Sequence, residues 1–170
     1  MGRRVVDALL PDEIVALARR VVEENAAAGR RVAVAESCTG GLVAAALTEI
    51  AGSSAVLDRG FVTYSNEAKQ ELLGVPSDII ETFGAVSIAC VWAMAQGAID
   101  RSDADVAVAI SGIAGPGGGT ELKPVGTVVF ARARRDADAE PEGERRDFGD
   151  LGRSEIRRQA TLAALELLLP

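Results

Sequence analysis

The sequence predicts a three-layer α/β/α sandwich around a mixed, mostly parallel β-sheet, formed as a single domain over residues 1–170. Segments with helical periodicity alternate along the chain with short apolar runs. The hydrophobic 48% of the residues includes only 4% aromatics, and alanine and valine supply most of the apolar mass. Such small side chains are typical of a parallel sheet covered on both faces. Two late strands joined by a charged turn add an antiparallel hairpin.

The first part of the chain alternates helix and strand. Residues 11–28 are predicted to form a helix, because proline suits a first helical turn and apolar residues then recur on one side. The apolar run 32–35 predicts a buried strand. Residues 39–50 predict a second helix, whose small side chains permit close packing on a sheet. A second strand is predicted over 56–64, with a polar interruption at 58–60.

The middle of the chain predicts more helix before the next strand. Residues 66–73 read as a short helix, and 76–83 as a turn or a further short helix. Ser87 is predicted to cap a helix that extends over 87–99. The closely spaced apolar residues of 105–111 predict a central strand.

The last part of the chain begins with a glycine-rich loop over 112–124, which is longer than an ordinary turn. A strand is predicted over 125–132, and a solvated hairpin tip over 134–146. Residues 145–148 predict a returning edge strand, and 154–169 a final helix. Because ligands in such sheets bind beyond the carboxyl ends of the strands, the site is expected at that edge.

Composition excludes several classes of function. The formal net charge is −7 and the arginines form no long basic run, so nucleic-acid binding is not expected. No apolar segment approaches the roughly 20 residues that cross a bilayer, and the amino terminus lacks a signal-peptide pattern. We therefore expect a cytoplasmic protein without a membrane partner. Cys38 and Cys90 show no CxxC spacing, which predicts two reduced thiols without a disulfide or a metal site.

Ser37 is the first candidate for chemistry, because it lies on the turn between a buried strand and a helix. The chain contains no histidine, so a lysine or a tyrosine would have to activate this hydroxyl. Thr39, Gly40 and Gly41 offer backbone N–H groups for an oxyanion at the start of the helix. The alternative is that Ser37 or Thr39 only caps the helix.

Lys69 is one of two lysines beside sixteen arginines. Its predicted place in the first turn of a helix opposes the helix dipole, and that field together with burial would favour a neutral amine. The alternative is a solvated lysine paired with a nearby glutamate. Tyr64, the only tyrosine, follows a strand and is predicted either to relay a proton or to fill space. Glu36 could orient a neighbour, although a carboxylate at a strand end is common.

The loop 111–120 carries Ser111, Gly112 and Gly115 and can turn several N–H groups toward an anion. It matches neither the P-loop nor the dinucleotide fingerprint. Lys123 follows the loop and could contact a phosphate. The alternative is a flexible glycine linker.

Several blocks of the chain resemble the CinA carboxy-terminal domain family: AESCTGG (35–41), AGSSAVLDRGFVTYSNEAK (51–69), GAVS (84–87), SGIAGPGGGT (111–120) and KPVGTV (123–128). The resemblance extends from about residue 11 to residue 169. It implies an amidase that converts nicotinamide mononucleotide to nicotinate mononucleotide and ammonia, with no metal or organic cofactor. It also implies a homodimer or a higher homo-oligomer.

The resemblance assigns the nucleophile to Ser37 and its partners to Tyr64 and Lys69. It implies that Lys69, linked to Ser37 directly or through Tyr64, removes the hydroxyl proton, and that amides near 39–41 hold the oxyanion. Ser111, Gly112 and Gly115 are expected to contact substrate, and Arg153 to contact its phosphate. Phe83 stands where some relatives have a histidine, and the chain is too short for the additional amino-terminal domain of larger members.

Two other functions remain open from the sequence. The domain could bind a nucleotide without turning it over and act through partners. It could also be a serine–lysine amidase or esterase with a different range of substrates. Ammonia release from nicotinamide mononucleotide, compared with nicotinamide and its riboside, would separate these possibilities.

Overall fold

The computed structural model describes residues 6–136 and 138–170. Within these residues the chain forms five strands and six α-helices. In chain order they are α1 (Asp12–Ala27), β1 (Val32–Glu36), α2 (Leu42–Thr48), β2 (Leu57–Val62), α3 (Asn66–Leu73), α4 (Ser77–Phe83), α5 (Ile88–Asp100), β3 (Val106–Gly112), β4 (Thr127–Arg134), β5 (Glu142–Asp147) and α6 (Arg153–Leu167). No helix in this part of the chain is long and apolar enough to span a bilayer.

The five strands form one mixed sheet in the order β2-β1-β3-β4-β5. Strands β2, β1 and β3 run parallel, whereas β4 pairs antiparallel with both β3 and β5. Strand β4 alone therefore runs opposite to the other strands. The predicted sandwich with a mixed, mostly parallel sheet is confirmed.

Side chains along the central strands alternate between two apolar cores. Val32 and Val34 pack with α1, α2 and α6, whereas Ala33 and Ala35 face α5. The alanine face lets α5 lie close to the sheet, as the composition indicated. Close packing continues between helices, because a Cβ built on Gly97 of α5 would lie 2.0 Å from the Leu73 carbonyl oxygen.

The parallel strands end at one edge of the sheet and so bring the candidate residues together. Glu36, the last residue of β1, lies opposite Val62 of β2 and Ile110 of β3. Ser37 follows β1 directly, and its backbone N–H donates to the Ile110 carbonyl over 3.0 Å. Ser111 is buried near the end of β3. This edge is where the site was expected.

Some predicted boundaries were wrong, and each has a local cause. Helix α2 begins at Leu42 and not at residue 39, because Gly40 and Gly41 adopt positive φ angles of 58° and 103°. Strand β2 continues through the polar interruption, because a bulge at Asp58 absorbs the irregularity. Strand β5 starts at Glu142, earlier than predicted, because its backbone pairs with β4 from that residue on along the edge of the sheet.

Candidate active site

Ser37 lies at the centre of a cluster of polar groups at the carboxyl edge of the sheet. The side chain is partly exposed, whereas both neighbours, Glu36 and Cys38, are buried. Its carbonyl oxygen accepts a hydrogen bond of 2.9 Å from the Gly40 N–H, which closes a tight turn after β1. The turn holds the hydroxyl at the mouth of the site, where a ligand can reach it.

Lys69 provides the contact that distinguishes Ser37 from a helix cap. Its Nζ atom lies 3.1 Å from the Ser37 Oγ atom and donates to the Thr63 carbonyl over 2.8 Å. Ser65 caps α3, its hydroxyl accepting from the Ala68 N–H, so Lys69 lies in the fourth helical position. The lysine is therefore not the solvated surface residue of the alternative interpretation.

The Lys69 side chain is 2% exposed. Loss of solvation lowers its pKa below the ordinary 10.5, although the Cys90 and Cys38 thiols partly oppose this effect. A neutral amine can keep one N–H on the Thr63 carbonyl and direct its lone pair at the Ser37 hydroxyl. That arrangement is what a general base for a serine nucleophile requires.

Glu36 organises the turn that carries Ser37. Its fully buried carboxylate accepts hydrogen bonds from the N–H groups of Gly41 (3.2 Å), Val43 (3.0 Å) and Ala44 (3.1 Å). These groups belong to the start of α2, so the carboxylate satisfies donors that a helix otherwise leaves unpaired. Sequence reasoning treated Glu36 as commonplace; a single carboxylate closing an otherwise apolar strand was the signal that could have identified it.

The backbone amides of this turn are used differently from the prediction. The Gly40 N–H donates to the Ser37 carbonyl, and the Gly41 N–H donates to Glu36. Thr39 is fully buried, and its hydroxyl has no hydrogen-bond partner among the described residues. The Cys38 N–H and the Thr39 N–H, by contrast, donate to no acceptor in another residue within residues 6–136 and 138–170. Cys38 follows Ser37 directly, so its amide is the nearer of these two donors to the hydroxyl along the chain.

Tyr64 lies at the rim of the site, with 60% of its surface exposed. Its hydroxyl accepts a hydrogen bond of 2.8 Å from Arg153, and within the described residues it forms no hydrogen bond with Lys69 or Ser37. The link from Lys69 to Ser37 through Tyr64 is thus absent, because the phenol points outward to α6. Arg153 also donates to the Gly115 carbonyl over 2.8 Å and so joins the tyrosine to the glycine loop.

The glycine-rich loop is shaped by hydrogen bonds and is not a flexible linker. The Ile113 N–H donates to the Thr127 carbonyl. The Thr120 N–H donates to the Lys123 carbonyl and closes a second turn. Lys123 reaches across to donate its Nζ to the Phe83 carbonyl over 2.7 Å. The loop is thereby fastened both to β4 and to the end of α4.

Glycines of this loop are needed for close packing. A Cβ built on Gly112 would lie 3.1 Å from the Cys38 Sγ and 2.8 Å from Val128, and one on Gly115 would lie 2.6 Å from Val125. Gly115 also has a positive φ of 81°. These positions support the site by letting the loop approach the Ser37 turn.

The outer side of the loop is a poor anion site. A depression of about 600 Å³ there is bordered by Gly118 and Gly119 together with Asp147 and Asp150. The two carboxylates oppose binding of a phosphate, and the depression holds neither Ser37 nor Lys69. Arg153, which donates to the Gly115 carbonyl and the Tyr64 hydroxyl, is not among the residues that border this depression.

The two cysteines are buried, and neither forms a disulfide. Burial raises the pKa of the Cys38 thiol to about 11, so its thiolate is disfavoured at neutral pH. Within residues 6–136 and 138–170, no three carboxylate or cysteine side chains cluster as a metal site would require.

Arg157 is a further site residue that sequence reasoning missed. Its Nε donates to the Cys38 carbonyl over 3.0 Å, and its terminal nitrogen donates to the Thr39 carbonyl over 3.3 Å. Arg153 and Arg157 are four residues apart and therefore lie on one face of α6. The four-residue spacing of the two arginines was the sequence signal that could have identified Arg157.

Residues 14–170 match the sequence model described as the CinA C-terminal domain. The nicotinamide-nucleotide amidohydrolase PncC of Escherichia coli K12 is 52% identical over 157 residues, which cover 92% of this chain and 93% of that protein. A CinA-like protein of Mycobacterium sp. strain JLS is 55% identical over 141 residues, or 83% of this chain. The matched segment is 33% of that longer relative, so this chain corresponds to about a third of its length.

Solved structures agree with the sequence relatives. The competence/damage-inducible protein CihA of Agrobacterium tumefaciens superposes with a TM-score of 0.91 at 52% identity, covering 95% of this chain and 96% of that one. A CinA superfamily protein of Klebsiella pneumoniae 700603 superposes with a TM-score of 0.85 at 41% identity, covering 91% and 94% of the two chains. The similarity therefore extends over nearly the whole fold.

Proposed function

Since the chain belongs to the CinA C-terminal domain family, we propose that it is a nicotinamide-nucleotide amidase. It hydrolyses the carboxamide of nicotinamide mononucleotide to nicotinate mononucleotide and ammonia. The E. coli relative that bears this activity in its name is 52% identical over nearly its full length. The observation that carries the proposal is the contact of buried Lys69 with the Ser37 hydroxyl, 3.1 Å between Nζ and Oγ.

The first half of the reaction forms an ester. Neutral Lys69 takes the proton of Ser37, and the Oγ atom attacks the carboxamide carbon. The carbonyl oxygen becomes an oxyanion that the Cys38 N–H can stabilise. The Lys69 ammonium then gives its proton to the departing nitrogen. Ammonia leaves, and the nicotinoyl group remains on Ser37.

The second half of the reaction restores the enzyme. A water molecule loses a proton to Lys69 and attacks the ester carbon. The C–O bond to Ser37 breaks as its oxygen regains that proton from the lysine. Nicotinate mononucleotide leaves as a carboxylate after its acid proton passes to water, and both protons that Lys69 took have been returned. These steps need only side chains and water.

Arg153 and Tyr64 recognise the nucleotide at the rim of the site. Arg153 is exposed and carries a permanent charge, which suits it to the 5′-phosphate of the substrate. Tyr64 offers an exposed ring beside it for stacking on a flat heterocycle. We assign both residues to binding, because neither contacts the Ser37–Lys69 pair.

We further propose that the protein works as a homodimer or a higher homo-oligomer. Several large apolar side chains are exposed and could pack against a second copy, namely those of Val62, Leu72, Phe83, Leu122 and Leu151. Light scattering of the purified chain tests this directly: a monomer mass at micromolar concentration would contradict it.

A substrate panel tests the proposed activity. Purified protein is given nicotinamide, nicotinamide riboside or nicotinamide mononucleotide, and ammonia is measured with a coupled assay. The proposal expects release from the mononucleotide and much weaker release from the two compounds that lack phosphate. Equal release from all three would indicate a general amidase. Binding of the mononucleotide without release would indicate a nucleotide-binding module.

A further inference from the structure

A chain of hydrogen bonds connects Arg157 of α6 to the free amide of Cys38. The guanidinium donates to the Thr39 carbonyl over 3.3 Å. That carbonyl and the Gly40 N–H belong to the same peptide group, and this N–H donates to the Ser37 carbonyl over 2.9 Å. The Ser37 carbonyl in turn shares its peptide group with the Cys38 N–H. The chain thus runs through two peptide groups and ends beside the nucleophile.

Hydrogen bonds arranged in such a series polarise one another. Each peptide whose carbonyl accepts a bond becomes a better donor at its N–H, by roughly 10–30% per bond. Here the series begins at a permanent positive charge, because arginine stays protonated at any working pH. The polarisation is directed toward the N–H of Cys38, the residue that follows Ser37.

The guanidinium is also placed to hold the turn in one geometry. Its Nε donates to the Cys38 carbonyl over 3.0 Å, so the planar group grips two consecutive carbonyls. An ideal Cβ on Gly40 would lie 3.4 Å from the Arg157 terminal nitrogen, and Gly40 has a φ of 58°. The left-handed glycine lets the turn fold against the arginine.

Arg157 has no competing ionic partner that would explain its position. Among the described residues, no carboxylate lies within salt-bridge distance of it, whereas the next residue, Arg158, pairs with Glu13 and Glu155. The guanidinium is partly buried and donates hydrogen bonds to the carbonyls of the Ser37 turn. Its contacts therefore serve that turn and not a surface ion pair.

We infer that Arg157 is a positioning residue for the amidase reaction: acting through the Thr39–Gly40 and Ser37–Cys38 peptide groups, it fixes and polarises the Cys38 N–H as an oxyanion donor. This inference rests on the proposed function. Among the described residues the Arg157 side chain bonds the Cys38 and Thr39 carbonyls and not Ser37 Oγ, so we expect its effect on the reaction to be largest in the state in which the carbonyl oxygen carries negative charge.

Three variants test this inference. Arg157→Gln removes the charge, Arg157→Lys retains the charge without the two-pronged grip, and Arg158→Gln is a matched control on the same helix. We expect Arg157→Gln to lower kcat about tenfold to a hundredfold with KM for nicotinamide mononucleotide within about threefold of the parent. Arg157→Lys should recover part of the loss, and Arg158→Gln should keep the parent kcat. Thermal unfolding verifies that each variant is folded.

The affinity for an aldehyde analogue of the substrate tests the role of Arg157 further, because a purely structural role would not change it selectively. Pyridine-3-carbaldehyde mononucleotide can accept the Ser37 oxygen at its aldehyde carbon, with the serine proton passing to Lys69 and an oxyanion forming. Its Kd should weaken in Arg157→Gln by the same factor as kcat, while the Kd of nicotinate mononucleotide stays unchanged. An equal weakening of both ligands, or an unchanged kcat, would overturn the inference while leaving the amidase proposal intact. A parent protein without ammonia release would overturn both.

Discussion

The Lys69 Nζ atom lies 3.1 Å from the Ser37 Oγ atom, although 32 positions separate the two residues in the sequence. Strands β1 and β2 produce this contact, because their carboxyl ends are adjacent in the sheet and α3 begins directly after β2. The same arrangement buries the lysine and holds it against the Thr63 carbonyl. A partly exposed hydroxyl and an amine with a lowered pKa thus meet at one edge of the fold.

Replacing Lys69 by arginine should abolish turnover. Arginine retains the positive charge and hydrogen-bonding ability, but it does not lose its proton at working pH and cannot act as the base. We expect kcat/KM for nicotinamide mononucleotide to fall about 10²–10⁴-fold. Steady-state ammonia release measures this, with Lys123→Arg as the control for the other lysine. Turnover by Lys69→Arg within tenfold of the parent would remove the lysine from the base role.

The rate should rise with pH through the lowered pKa of Lys69. Only the neutral amine accepts the serine proton, and burial lowers the lysine pKa below 10.5. The acidic limb of kcat/KM should therefore have its midpoint below that value, with less activity on its acid side. A pH series of ammonia release on the parent enzyme measures the midpoint. A rate that falls as pH rises through this range would contradict the assignment.

The pH dependence of stability should report the lowered pKa of Lys69 independently of activity. Between its folded pKa and 10.5, Lys69 binds fewer protons in the folded protein than in the unfolded chain, so the free energy of unfolding rises with pH. Lys69→Met lacks this titration. The free energy of unfolding of the parent, relative to that of Lys69→Met, should increase by at most about 1.4 kcal/mol for each pH unit in that range. Urea unfolding at several pH values measures the difference, and a constant difference would contradict a lowered pKa.

Glu36→Gln should damage both stability and turnover. The amide keeps the shape of the carboxylate, but it has no charge and places an NH₂ group near the N–H donors of Gly41, Val43 and Ala44. We expect a loss of about 2 kcal/mol in the free energy of unfolding, together with a lower kcat. Glu49→Gln, which removes a carboxylate at the other end of α2, is the control. A neutral effect of Glu36→Gln on both quantities would show that the carboxylate does not hold the turn.

Tyr64→Phe distinguishes a binding role from proton relay. The change removes the hydroxyl that accepts from Arg153 but retains the exposed ring. We expect KM to rise by a few fold while kcat changes by less than about threefold. Arg153→Met should raise KM for the mononucleotide but not for the riboside. A hundredfold fall in kcat for Tyr64→Phe would instead favour a proton relay through the phenol.

Local signals in the sequence were sufficient for much of the fold. Helix α3 has the predicted bounds, and Ser87 caps α5 by accepting from the Cys90 N–H, because both follow from short-range capping chemistry. The absence of histidine made Ser37 and Lys69 candidates, and their roles as nucleophile and base stay a prediction that rests on the family resemblance.

Features that depend on tertiary contacts were missed. The outward turn of Tyr64 depends on Arg153, which lies 89 positions away, and the grip of Arg157 on the Ser37 turn spans 119 positions. The start of α2 was misplaced because the Glu36 carboxylate caps the helix from inside β1, ahead of two left-handed glycines. No local sequence pattern predicts these contacts between residues that lie far apart in the chain.

Ammonia release from nicotinamide mononucleotide by the parent protein and by Ser37→Ala tests the central claim most directly. The change removes one oxygen atom from a partly exposed position, so the fold and nucleotide binding should be preserved. We predict one ammonia and one nicotinate mononucleotide per substrate consumed by the parent, and no release by folded, nucleotide-binding Ser37→Ala. Release by Ser37→Ala at the parent rate would contradict a serine nucleophile at this site.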